Sequence, residues 1–157
     1  VCDVAIAETA AAFGLTEQYP THFDTGKRLA IRPDFVVHPA NRSHDALYVA
    51  DAKYKLTERL GVIGDHYQLL AYATVFGLRE GVLIYCQKAD DDDSLEVSPV
   101  SSIRVRGAGI EHFVYRLDVS GTRADIAARL DALMVWIRGR IAEQTMVLHS
   151  EMEASVP

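Results

Sequence analysis

The order of predicted elements argues for an α/β domain: a mixed β-sheet core flanked by helices. Three observations carry that expectation. Residues 82–87 (VLIYCQ) are a compact apolar run of the buried-strand kind. Two β-rich segments precede it, one around Asp34 and one around Asp51, and helix-patterned stretches separate and close them. At 157 residues the chain suits one hydrophobic core rather than two.

Residues 3–13 (DVAIAETAAAF) are Ala-rich with apolar residues at helical spacing, and Gly14 reads as the C-terminal stop of that helix. Residues 17–23 are expected to form a strand, followed by a turn at Asp24-Thr25-Gly26. Residues 29–38 are β-branched and apolar, but Pro33 cannot donate to a ladder, so a bend or bulge is expected immediately before Asp34. Residues 39–45 (PANRSHD) are a loop, and residues 47–54 (LYVADAKY) a strand that begins apolar and ends charged. A polar, Gly-containing connection covers 55–64, and Asp65 is the expected N-cap of a helix to about residue 76, closed by Gly77. After the 82–87 strand come an acidic loop at 90–93 and two strands near 103–106 and 112–119. A helix over 122–144 closes the chain, with Ile126, Leu130, Leu133, Ile137 and Ile141 on one stripe. No internal repeat or linker divides it.

Composition narrows the function classes. Cys2 and Cys86 are too few for a disulfide scaffold or a four-thiolate metal site, so a reducing, cytoplasmic setting is expected. The six histidines lack ligand spacing, and residues 90–93 lack the Gly and terminal Glu of a calcium loop. No apolar run approaches a membrane span, and no signal-peptide pattern opens the chain. The start at Val1 suggests a piece of a longer subunit. A formal charge of −6 argues against a protein that coats DNA. It leaves room for a carboxylate-lined site that binds cations, with backbone contacts drawn from two local basic clusters: Lys27, Arg28 and Arg32, and Lys53, Lys55 and Arg59.

The segment that carries chemistry is Arg32-Pro33-Asp34 followed by Asp51-Ala52-Lys53. Strand side chains alternate, so Asp51 and Lys53 share one face while Ala52 turns to the other. If the strand after Asp34 pairs alongside, two carboxylates and an ammonium meet at one sheet edge. Such a set suits phosphodiester hydrolysis: carboxylates hold a hard cation, and an ammonium stabilises developing negative charge. A lone D-x-K tripeptide is weak evidence and is better explained as a surface pair at a strand end. The weight comes from its place at the end of an apolar strand, one hairpin length after another Asp.

These residues resemble the PD-(D/E)xK nuclease signature, and Gln68 and Tyr72 resemble the Q-x-x-x-Y helix motif of RecB-like members. The wider text "RPDFVV … LYVADAKYK … DHYQLLAYATVFG … GVLIY", about residues 28–86, is similar to the McrC subunits of McrBC-type 5-methylcytosine restriction systems. The resemblance implies a restriction-endonuclease-like fold and a metal-dependent DNA endonuclease domain spanning residues 1–157. It implies that Asp34, Asp51 and the Ala52 carbonyl hold Mg²⁺, with Mn²⁺ as a substitute, and that Lys53 is the signature lysine. Gln68 would orient the site, while Lys55, Tyr72 and Arg32 would contact DNA. Glu8, on the first helix, stands where many members place a further ligand. The implied partner is a GTP-driven AAA+ motor of the McrB kind. No Gly-rich phosphate loop occurs here, so that motor is expected on another chain. Two alternatives stay open: a stand-alone RecB-like exonuclease or repair nuclease, and an inactive nuclease fold used for docking.

Overall fold

The computed structural model describes residues 14–40, 44–54, 60–87 and 100–154. Among them lie β1 (Gly14–Glu17), β2 (Thr21–His22), β3 (Ala30–Ile31), β4 (Phe35–His38), β5 (Tyr48–Lys53), α1 (Ile63–Phe76), β6 (Glu80–Gln87), β7 (Val100–Arg104), β8 (Glu111–Asp118) and α2 (Arg123–Ala154). Six strands make one sheet in the order β1-β4-β5-β6-β8-β7, and β2 pairs with β3 in a small separate hairpin. β4 pairs antiparallel with β1 on one side and β5 on the other, β5, β6 and β8 run parallel, and β7 returns antiparallel to β8. This is the expected α/β class with a mixed sheet and flanking helices.

Period-two alternation sorts each central strand onto two faces. Phe35, Val37, Tyr48, Ala50, Val82, Ile84, Tyr115 and Leu117 point to α2, which supplies Leu130, Leu133, Met134, Ile137 and Ile141. Val36, Val49, Leu83, Tyr85 and Val114 point to α1, which supplies Leu69, Tyr72 and Ala73. Gly81 sits under α1: a Cβ there would come within 3.0 Å of Leu69 Cδ1 and Val49 Cγ1, and 3.2 Å of the Val49 carbonyl. Its bare backbone lets the helix lie close to the sheet.

Several boundaries differ from the sequence expectation. Gly14, the expected helix stop, belongs to β1, with the residues before it outside the described ones, and the strand expected over 17–23 divides into β1 and β2. The break at Pro33 is real: β3 ends at Ile31 and β4 begins at Phe35. Asp65 is not the N-cap. The helix starts at Ile63 after Val62, whose apolar side chain cannot cap, and Asp65 lies buried in the first turn. Gly77 closes α1 with φ 66, as expected of a left-handed C′ glycine. α2 runs ten residues past the expected end at 144, to Ala154. The expected first helix at 3–13, the connection at 55–59 and the acidic loop at 90–93 lie outside the described residues. No helix among the described residues is long and apolar enough to cross a membrane.

A buried histidine pair fastens α1 to β8. The His66 and His112 rings stack with centroids 5.4 Å apart and planes 5° from parallel. His66 Nε2 lies 2.6 Å from the Leu60 carbonyl, which only accepts, so this nitrogen carries the proton. His66 Nδ1 then accepts from His112 Nδ1–H at 3.2 Å, leaving His112 Nε2 bare and buried without a partner. Burial and the facing His66 hold His112 down to about 4, with only partial offset from Glu111.

A base whose folded-state pKa is depressed contributes stability above its unfolded value, near 6.5, and loses it as pH falls toward the folded value. Urea unfolding should therefore show an acid-side loss between pH 6.5 and about 4 worth roughly 3 kcal/mol beyond that of His112→Gln. Parallel pH profiles for the two proteins would contradict the pairing.

Candidate active site

Pro33 prevents the chain from running straight through from β3 to β4, and the bend is held from the other side. Gln18, with φ 48, donates its backbone N–H to the Asp34 carbonyl at 2.8 Å, and Tyr19 donates to the Pro33 carbonyl at 3.1 Å. The Asp34 carboxylate thus stands at the mouth of the β4–β5 pair. Its Oδ2 accepts the Ala52 backbone N–H at 2.9 Å, and its Oδ1 accepts Gln18 Nε2 at 2.6 Å.

On β5, Asp51 and Lys53 project together toward α1 while Ala52 packs toward α2. Lys53 Nζ is ion-paired with Asp51 Oδ2, and it donates to Gln68 Oε1 at 2.8 Å. Gln68 Nε2 donates to the Tyr72 hydroxyl at 2.8 Å, one turn further along α1, and that hydroxyl lies 3.4 Å from the Arg32 carbonyl. The chain of contacts runs from Asp51 through Lys53, Gln68 and Tyr72 back to the bend before Asp34.

The electrostatics follow from burial. Asp51 is 2 % exposed, and desolvation pushes its carboxyl up to about 6; Lys53 pulls it down, while the neighbouring Asp34 carboxylate adds to the rise. Burial opposes the Lys53 ammonium, yet Asp51, with help from Asp65 and Asp34, outweighs it and raises that pKa. Burial also raises the Tyr72 phenol, followed by the charge of Asp51. A buried Asp51 carboxylate, its ionisation opposed first by desolvation and also by the neighbouring Asp34, would suit a hard divalent cation, because the cation would relieve both costs. Mg²⁺ takes few protein carboxylates, so Asp34 and Asp51 with a backbone carbonyl are a sufficient set. No group of three or more His, Cys, Asp or Glu with metal-binding geometry occurs among the described residues.

The expected residues Asp34, Asp51, Ala52, Lys53, Gln68 and Tyr72 therefore meet at one place. Arg32 is exposed and reaches it through its backbone carbonyl. Glu8 and Lys55 lie outside the described residues. Sequence reasoning missed Gln18, which has no motif to mark it, and the interior role of Asp65. A cleft of about 500 Å³ lined by Arg79, Glu80, Arg104, Arg140 and Glu143 opens at the opposite end of the parallel strands. Its charges serve structure: Arg140 pairs with Glu80 at 2.7 Å and Arg79 with Glu151 at 3.0 Å.

Residues 8–86, half of the chain, match the family described as McrBC 5-methylcytosine restriction system component. Among solved structures, a chain of the refined half-complex from the tetradecameric assembly of Thermococcus gammatolerans McrB AAA+ hexamers with bound McrC aligns with a TM-score of 0.60 and 17 % identity. That alignment covers 83 % of this chain and 30 % of the solved one, so the chain spans under a third of its length. No curated protein matches.

Carboxyl ¹³C NMR should give Asp51 a midpoint near 6 in the metal-free protein. Asp34→Asn should lower the midpoint only part of the way, since burial is the larger cause, and Lys53→Ala should raise it. A midpoint that stays fixed in both variants would contradict the coupling described.

Proposed function

The chain belongs to the family of McrBC 5-methylcytosine restriction system components, and we propose that it is the McrC-like, DNA-cleaving part of such a system. The observation that carries this reading is the convergence of Asp34, Asp51 and Lys53 at the end of the interior strand β5, with Gln68 closing on the lysine. Those residue types suit hydrolysis of a phosphodiester and are more than a docking surface requires. The arrangement corresponds to the PD-(D/E)xK pattern at Pro33-Asp34 and Asp51-Ala52-Lys53.

Asp34, Asp51 and the Ala52 carbonyl would hold the divalent ion, Mg²⁺ or Mn²⁺. When bound, it supplies Lewis acidity toward the phosphate and a more acidic water. The remaining work falls to the chain itself. Lys53 presents a fixed positive charge where negative charge develops on the phosphate, and its bond to Gln68 limits how far that charge can wander. Tyr72 fixes the amide of Gln68 so that its oxygen, not its nitrogen, faces the lysine. Asp51, protonating near pH 6, must be ionised to serve as a ligand, so cation affinity should decline below that pH.

The partner in this reading is a McrB-like AAA+ motor. Support comes from the solved assembly, whose McrB AAA+ hexamers carry bound McrC. The chain would act on DNA that the motor delivers, in the bacterial or archaeal cytoplasm.

Reconstituted with such a motor, Asp51→Ala and Lys53→Ala should each lower Mg²⁺-dependent DNA cleavage by at least about 100-fold, the scale seen when one preorganised charge-stabilising group is lost. Circular dichroism and thermal melting should stay close to the parent. Retention of most cleavage by either variant would refute the assignment.

A further inference from the structure

Tyr85 and Asp65 lie beside the site, yet none of the roles above uses them. Tyr85 is the register partner of Lys53 across the parallel β5–β6 ladder, so both side chains rise from the same face of the sheet. The Tyr85 ring is fully buried, and its hydroxyl donates to Asp65 Oδ2 at 2.5 Å while accepting the Val62 backbone N–H at 3.0 Å. One phenol thus holds both the residue that precedes α1 and a carboxylate in the first turn of the helix. Gly61, at φ 78, is fitted against the same ring: an added Cβ would stand 2.9 Å from the Tyr85 hydroxyl.

Asp65 is three residues before Gln68 and seven before Tyr72, so the three share one stripe of α1 above β5 and β6. A carboxylate buried to 8 % exposure inside a first helical turn, with no capping function, needs a reason beyond helix stability. Its charge acts on Lys53, among the groups that favour the ammonium form.

We infer that Asp65, anchored by the Tyr85 hydroxyl, is a positioning residue: it sets the placement of α1 over β5 and confines the Lys53 ammonium between Asp51 and Gln68. Asp65 does not touch the reacting atoms; it acts through the lysine and through the helix that carries the glutamine. The inference rests on the nuclease reading for its meaning, while its physical content is the order of one side chain.

The test uses the full chain and the variants Asp65→Asn, Tyr85→Phe and their double. The first readout is the NMR order parameter of the Lys53 side chain, with the methyl groups of Leu69 as the internal control on the same helix. Lys53 order should fall in all three variants while Leu69 order holds. The second readout is motor-supported cleavage. There kcat should fall about 10- to 100-fold with KM for DNA within about twofold, and the double variant should be no worse than the weaker single, as for residues acting in series. If Lys53 order is unchanged, or Leu69 loses order equally, the positioning role is overturned whatever the cleavage result. If Lys53 order falls but the parent protein cuts no DNA, the positioning role stands and the nuclease reading fails.

Discussion

The hydrogen bond from the Ala52 backbone N–H to the Asp34 carboxylate joins two segments that the chain order separates by a hairpin. It spans the point where β4 begins and β5 ends, so it sets the distance between the Asp34 and Asp51 side chains. Everything chemical about the site follows from that closeness. Two carboxylates this near each other, one of them buried, repel and lose hydration, and the sheet tolerates them because Lys53 lies against one and Gln18 and Ala52 satisfy the other. Under the proposed function, a bound cation would relieve that same local cost.

The sheet divides its labour by face and by end. The face under α2 is a continuous apolar core from Phe35 to Ile141, and it holds the strands in register. The face under α1 mixes that duty with chemistry: Leu69, Leu83 and Val114 pack, while Asp51, Lys53, Asp65 and His112 carry charge or protons in nearly the same layer. Along the strands there is a second division. The carboxyl end of β5 carries Asp51 and Lys53, and the amino ends of β6 and β8 close the opposite edge with the Glu80–Arg140 pair. A β-strand flanked by one antiparallel and one parallel neighbour brings the start of β4 beside its own end, which is how residues 34 and 51 come to meet.

Much of this was legible in the sequence, for identifiable reasons. The 82–87 run had the pattern of a buried strand, Pro33 was expected to interrupt its segment, and the alternation of Asp51, Ala52 and Lys53 fixed which side chains share a face. Helical spacing placed Gln68 and Tyr72 together, as their hydrogen bond shows. Asp65 misled because an aspartate ahead of an apolar helical stretch reads locally as a cap. Its true partner, Tyr85, is twenty residues away, and tertiary hydrogen bonding outranked the local preference. Gln18 was invisible for a related reason: its contact with Asp34 depends on how a short edge strand folds back, which no periodicity records. The length of α2 also escaped, because Gln144 and Thr145 interrupt the apolar stripe while the helix itself continues.

The bare backbone at Gly81 has a consequence that reaches beyond local packing. Leu69 stands directly over it, and Gln68 is the neighbouring residue on the same helix. A hydrogen bond of 2.8 Å loses most of its strength when stretched by about 1 Å. The clearance left by one missing methyl group is therefore of the same order as the whole working tolerance between Gln68 and Lys53. In this protein the smallest residue of β6 governs whether the longer side chains above it can meet.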